Sequence, residues 1–256
     1  MLPKLRRALI LYITAGDPLI NTKLVSALYQ SGMDILEVGL PVARPKYDGP
    51  VIRRSMRRAL ASLSGLDDAL DSAVKLPGDN KILFTYYDEA LKYGVEDFFS
   101  RVSSGFGSVL FPDLLIDHLG ELERYSRLCE KYGVAQAFFI TTGFPHKLVK
   151  RLSSLEPAFI YLGLMVSTGV LLPISAGRNI RLFRELVGSV PLIVGFAVRS
   201  PEQVEQYMQA GADGVVVGSA LLRILEEAGE DEKISRVCGF VAELKRAVER
   251  HGYTQQ

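Results

Sequence analysis

Residues 210–219 read Ala210-Gly211-Ala212-Asp213-Gly214-Val215-Val216-Val217-Gly218-Ser219. The first glycine follows a helical pattern, where the left-handed helix cap favours it. An apolar run without polar alternation comes next, as expected of a strand covered on both faces. Gly218-Ser219 ends that run and opens a new helical pattern, Ser219–Glu227. Helix, glycine, covered strand and helix in succession make up the unit of an alternating α/β chain.

The same joint recurs upstream, at Ser31-Gly32-Met33-Asp34, Ser104-Gly105-Phe106-Gly107 and Lys131-Tyr132-Gly133-Val134. An apolar strand follows each time. Candidate strands are Leu9–Thr14, Asp34–Gly39, Lys81–Tyr86, Ser108–Pro112, Val134–Ile140, Phe159–Gly163, Leu192–Phe196 and Gly214–Gly218. That is the number that closes a (β/α)8 barrel, so an α/β fold of the TIM-barrel type is expected. Between strands the pattern is helical. Leu115–Tyr132 carries apolar residues at helical spacing, and Ser200-Pro201-Glu202-Gln203 has a capping serine, a first-turn proline and a glutamine three residues on. Two helical stretches, Ile52–Leu63 and Leu66–Val74, lie between the second and third strands, one more than the simplest barrel needs. No linker or low-complexity segment interrupts residues 1–256, so one domain is expected.

The 256 residues suit a single α/β barrel. With 30 basic and 29 acidic residues the formal charge is +1, which gives no sign of a nucleic-acid partner. A small anion remains compatible, since backbone N–H groups can hold a phosphate unaided. The two cysteines, Cys129 and Cys238, are far apart and read as reduced thiols. No apolar run reaches the roughly 18 residues a membrane span needs. Lys4, Arg6 and Arg7 before the apolar run Ala8–Ala15 faintly suggest a signal peptide, but Gly16-Asp17-Pro18 ends the run early and it reads better as a buried strand. A cytoplasmic location is expected.

Barrels of this kind place their chemistry at the C-terminal ends of the strands. There the second strand offers Glu37 within Asp34-Ile35-Leu36-Glu37-Val38-Gly39. Facing the barrel mouth, it would have a raised pKa and serve as a proton shuttle; the alternative is a carboxylate paired with a buried base. Asp48 lies in the following loop, Pro41-Val42-Ala43-Arg44-Pro45-Lys46-Tyr47-Asp48-Gly49-Pro50, either as a plain turn residue or on a loop folded over substrate. Gly195-Phe196-Ala197 after the seventh strand and Gly218-Ser219 after the eighth look like an anion cradle, glycine allowing close approach and the helix start favouring negative charge. Ser219 adds a hydroxyl or is only a helix cap. Tyr86 and Tyr161 fall at or near strand ends, where core packing is the plainer reading.

Other chemistries find less support. His118, His146 and His251 lack metal-ligand spacing, so no metal is expected. No lysine ends the sixth strand to form a Schiff base, and no dinucleotide fingerprint follows the first.

Taken in order and spacing, Ile13-Thr14-Ala15-Gly16-Asp17-Pro18, Glu37-Val38-Gly39-Leu40-Pro41, Asp48-Gly49-Pro50-Val51-Ile52, Thr85-Tyr86-Tyr87, Pro112-Asp113-Leu114, Thr168-Gly169-Val170 and Gly214–Ser219 resemble the tryptophan synthase α subunit family across nearly the whole chain. The eleven-residue step from Glu37 to Asp48 is the most specific part. The resemblance implies retro-aldol cleavage of indole-3-glycerol phosphate to indole and glyceraldehyde 3-phosphate. It implies Glu37 as general acid–base, Asp48 as acceptor of the indole N–H, and Tyr161 near the reacting hydroxyl. Gly195, Phe196, Ala197, Gly218 and Ser219 would hold the phosphate, with Phe84 flanking the ring and Tyr86 near substrate. It implies no cofactor in this chain, pyridoxal phosphate belonging to a β-subunit partner. The sequence departs from the family at Val42-Ala43-Arg44, at Ala197 and at Leu171-Leu172, which bears on loop closure and partner communication. Two alternatives stay open: another phosphate-binding barrel, such as a phosphoribosyl isomerase or prenyl-glyceryl synthase, and a non-catalytic α-like subunit that only activates a partner.

Overall fold

The computed structural model describes residues 5–164, 176–195 and 198–250. In chain order it contains β1 (Ala8–Thr14), α1 (Thr22–Gln30), β2 (Ile35–Gly39), α2 (Pro50–Ser62), α3 (Leu66–Lys75), β3 (Lys81–Phe84), α4 (Tyr87–Tyr93), α5 (Val95–Ser103), β4 (Ser108–Leu110), α6 (Leu114–Asp117), α7 (Leu122–Tyr132), β5 (Ala135–Thr141), α8 (His146–Ser153), β6 (Phe159–Gly163), α9 (Ala176–Val187), β7 (Leu192–Gly195), α10 (Pro201–Gln209), β8 (Gly214–Val217), α11 (Ser219–Glu227) and α12 (Lys233–Glu249). The strands pair in parallel, in sequence order, and β8 closes on β1 through Ala8↔Gly214 to Leu11↔Val217. The expected barrel is present, with all eight expected strands.

The recurring joint has a physical basis at two places. Gly32 and Gly211 adopt φ +108° and +107°, which a side chain would resist. Two residues on, Asp34 accepts the N–H of Leu9 at 2.7 Å and pairs with Lys245 of α12 at 2.8 Å. Asp213 likewise accepts the N–H of Leu192 at 2.8 Å and pairs with Arg184 of α9. Each acid therefore secures an amide at the start of the neighbouring strand and pairs its charge with a base on a helix. Gly133 is a left-handed cap (φ 65°) as expected. Gly105 is not: its φ lies outside the left-handed region, and its role is space, because a Cβ there would sit 2.9 Å from Val74 Cγ2.

One expected helix is broken. Leu115–Tyr132 divides into α6, a 3-10 turn over Leu119–Glu121, and α7. His118 leaves helical geometry (φ −129°, ψ 34°) with its imidazole 2.8 Å from Asp88 Oδ1, and Glu121 accepts the Tyr87 hydroxyl at 3.0 Å. Tertiary hydrogen bonds, with Gly120 as a weak helix former between them, override the helical periodicity.

Register sets the inner wall. Tyr12 is level with Glu37, Glu37 with Ile82, Phe84 with Leu110, and Phe139 with Tyr161. Level residues share a face, and so do residues two apart on one strand. Tyr12, Glu37, Phe84, Phe139 and Tyr161 therefore line the lumen near the C-terminal ends. Glycines on adjacent strands make room for their rings: a Cβ on Gly39 would strike the Tyr12 hydroxyl, one on Gly195 the Tyr161 hydroxyl, and one on Gly163 would lie 2.9 Å from Phe139 Cζ.

Candidate active site

Glu37 has 2% exposure, and its Oε1 has no hydrogen-bond partner among the described residues. Among the described residues no Lys or Arg is paired with it. Burial, and then the charge of Asp48, push its pKa to about 8. Asp48 is not an exposed turn residue but is 5% exposed, accepting the Tyr86 hydroxyl at 2.7 Å. Its pKa is pushed up to about 6, burial outweighing the Tyr86 hydrogen bond and the Arg53 guanidinium. Asp48 ionises first, so its charge acts on a Glu37 that is still neutral.

The other expected residues surround these acids. Tyr161 is 4% exposed, and its phenol is raised well above its ordinary range by burial and then by Glu37, Asp48 and Tyr12. Because β6 and β2 are opposite walls of the barrel, that coupling places both groups on the lumen. Phe84 is buried edge-on to Tyr12, ring centroids 5.9 Å apart. Tyr86 caps the start of α4, and its hydroxyl serves Asp48. Gly195 ends β7, level with Gly163. Gly218, not Ser219, occupies the N-cap of α11, so Ser219 is the first helical residue and both are half-buried. The N–H groups of that first turn have no carbonyl within the helix to bond. Phe196 and Ala197, and Thr168, Gly169, Val170, Leu171 and Leu172, lie outside the described residues.

Sequence reasoning missed two features. Tyr12 shares the lumen with Glu37, its hydroxyl 3.4 Å from Thr14 Oγ1, and strand parity against Glu37 is the signal that would have found it. Asp17 is fully buried in a clasp: it accepts Ser55 Oγ at 2.5 Å and two guanidinium N–H groups of Arg58 at 3.0 and 2.6 Å. Arg58 also bonds Glu226 at 2.6 Å, joining the β1 loop, α2 and α11 below the mouth.

Asp88, Asp113 and His118 bring possible metal-ligand atoms within 4.8 Å of one another. Their oxygens are already engaged. Asp113 accepts the N–H groups of Tyr87 and Asp88 at 2.6 and 3.2 Å, and Lys46 Nζ lies 2.8 Å from Asp88. A hollow lined by Leu5, Gly107, Cys129, Ala135, Ala158 and Pro191 lies at the opposite, N-terminal ends of the strands, away from the carboxylates. Cys129 and Cys238 are unpaired, and no described helix is long and apolar enough to cross a membrane.

A protein-family model described as tryptophan synthase alpha chain matches residues 2–249. The chain belongs to the tryptophan synthase alpha chain family. It is 35% identical over 255 residues to the tryptophan synthase alpha chain of Geotalea uraniireducens, covering 96% of this chain and 94% of that one. It is 33% identical to that of Sulfurisphaera tokodaii, covering 88% and 92%. A mutant tryptophan synthase alpha-subunit from the hyperthermophile Pyrococcus furiosus superimposes with a TM-score of 0.81 at 28% identity, over 93% and 98% of the two chains. An aminoacrylate-bound tryptophan synthase from M. tuberculosis gives 0.78 at 28% identity, over 95% and 94%. The family is a lyase family of tryptophan biosynthesis, and its reaction is cleavage of indole-3-glycerol phosphate.

Proposed function

We propose that this chain, as one barrel domain, cleaves indole-3-glycerol phosphate with Glu37 and Asp48 as its working carboxylates. The observation that carries the reading is the pair itself: two buried acids with pKa values driven to about 8 and about 6. Near neutral pH one is a protonated acid and the other an anion, the division of labour the reaction requires. Glu37 gives its proton to indole C3. The ring becomes an indolenium whose N–H hydrogen-bonds to the Asp48 carboxylate, which stabilises the positive charge. The bond from C3 to the glycerol carbon then breaks, its electrons restoring the indole. The glycerol hydroxyl returns a proton to Glu37 as its carbon becomes the aldehyde of glyceraldehyde 3-phosphate. Tyr161 lies beside the reacting hydroxyl, Phe84 flanks the ring, and Tyr86 reaches the substrate through Asp48. Gly195, Phe196, Ala197, Gly218 and Ser219 hold the phosphate on backbone N–H groups and a helix start.

Both proton transfers are served by the Glu37 carboxyl, so the chain needs no cofactor of its own; pyridoxal phosphate belongs to a β subunit that receives indole. The similarity to a tryptophan synthase as well as to a tryptophan synthase alpha-subunit supports that partner. A cytoplasmic setting fits this role. Glu37→Gln keeps the shape and removes the proton. Indole release should fall by roughly three orders of magnitude, with the fold, read by circular dichroism, and inorganic-phosphate binding unchanged. Normal turnover in that variant would remove Glu37 from the mechanism.

A further inference from the structure

The loop that carries Asp48 is tied down from outside the barrel. Lys46 Nζ is 2.6 Å from Asp117 Oδ2 on α6 and 2.8 Å from Asp88 Oδ2 on α4. The Tyr47 hydroxyl donates to the Asp117 carboxylate at 3.1 Å. Its ring stacks on Tyr86 with centroids 6.0 Å apart and planes at 24°. The Tyr47 backbone N–H donates to the Tyr86 hydroxyl at 2.9 Å, and that hydroxyl donates to Asp48 Oδ2 at 2.7 Å. On the other side Arg53 Nε donates to the Asp48 carbonyl at 2.7 Å. The chain of bonds therefore runs from Asp117 through Tyr47 and Tyr86 to the carboxylate.

Lys46, Asp88 and Asp117 are each about a third exposed. Ion pairs of that kind contribute little to global stability, so their effect is local and geometric. An N–H received by the Tyr86 oxygen occupies one lone pair, directs the hydroxyl proton toward Asp48 and strengthens that donation. We propose that Lys46, Tyr47 and Asp117 are positioning residues, a clasp that sets the Asp48 carboxylate for the cleavage reaction. The proposal rests on the function given above.

Tyr47→Phe tests it without altering formal charge. The groups that face Asp48 are Tyr86, Arg53 of α2, Glu37 of β2, Tyr12 of β1 and Tyr161 of β6, and all are kept in this variant. Turnover of indole-3-glycerol phosphate by the full chain is measured across pH for wild type, Tyr47→Phe, Asp117→Asn, Lys46→Met and Lys46→Arg. Tyr47→Phe and Asp117→Asn should lower kcat about tenfold, as a small misplacement of a reacting group does, with KM within about twofold. A weakened Tyr86 donation, which holds the Asp48 pKa down, moves the acidic limb of kcat/KM to higher pH. Lys46→Met follows them, and Lys46→Arg recovers most of the rate. An active wild type whose variants keep its kcat and its acidic limb overturns the clasp alone; an inactive wild type overturns the clasp and the function together.

Discussion

At the scale of single residues, the pocket depends on two acids of different tasks. On the proposed mechanism the free enzyme holds Asp48 ionised and Glu37 protonated to begin turnover. The pH profile of kcat/KM should therefore be bell-shaped, rising near pH 6 and falling near pH 8, the two limbs belonging to the pair. A flat profile from pH 5 to 9 would contradict this. The same shift bears on stability. The Glu37 pKa is raised on folding, from 4.5 to about 8, so folding favours its protonated form. That contribution is whole below pH 4.5 and is lost as pH climbs through 8, on the order of 3 kcal/mol by pH 7. Glu37→Gln cannot titrate. In urea melts its stability relative to wild type should rise by roughly 3–4 kcal/mol between pH 5 and pH 8. Glu37 was legible in the sequence because a lone acid in an apolar strand is conspicuous. Asp48 was less so, because the turn context before Gly49 accounts for an aspartate without any function. What marks it is the Tyr86 hydroxyl, 38 residues away in sequence. Tyr12 was invisible as a site residue until the β1–β2 register was known.

At the scale of elements, helix ends need partners for their last carbonyls. The C-terminal turn of α3 finds one in Lys81, the first residue of β3. Its ammonium is buried, with Nζ 2.8 Å from the Val74 carbonyl and 2.9 Å from that of Leu76, above the Phe106 ring at 5.3 Å. Burial lowers its pKa, so the group is held by those carbonyls against a desolvation cost. Lys81→Met keeps most of the volume and strands the carbonyls. It should cost about 2 kcal/mol in the denaturant midpoint while leaving kcat unchanged, since Lys81 lies at the end of the barrel away from the mouth. Strands were legible to within two residues at each end, because a covered strand shows as an unbroken apolar run. The division of Leu115–Tyr132 was not, since its cause is the placement of Asp88 and Tyr87 on another helix.

At the scale of the whole molecule, the two ends of the barrel are organised differently. The lower end is secured by Asp34 and Asp213, and the upper end carries the loop that bears Asp48, with Arg44 exposed upon it. We expect Arg44 to meet an acidic residue of the β subunit. Arg44→Asp should weaken assembly about tenfold or more in a calorimetric titration, and equal affinity would count against it.

The joints at Asp34 and Asp213 have an engineering consequence. Each is self-sufficient, built from a glycine, an acid, an amide near the start of the neighbouring strand and one basic side chain. Nothing in them reaches toward the pocket. Loops on the opposite rim can therefore be exchanged, lengthened or recoded without loosening the staves, which makes this chain a chassis on which new substrate preferences can be grafted.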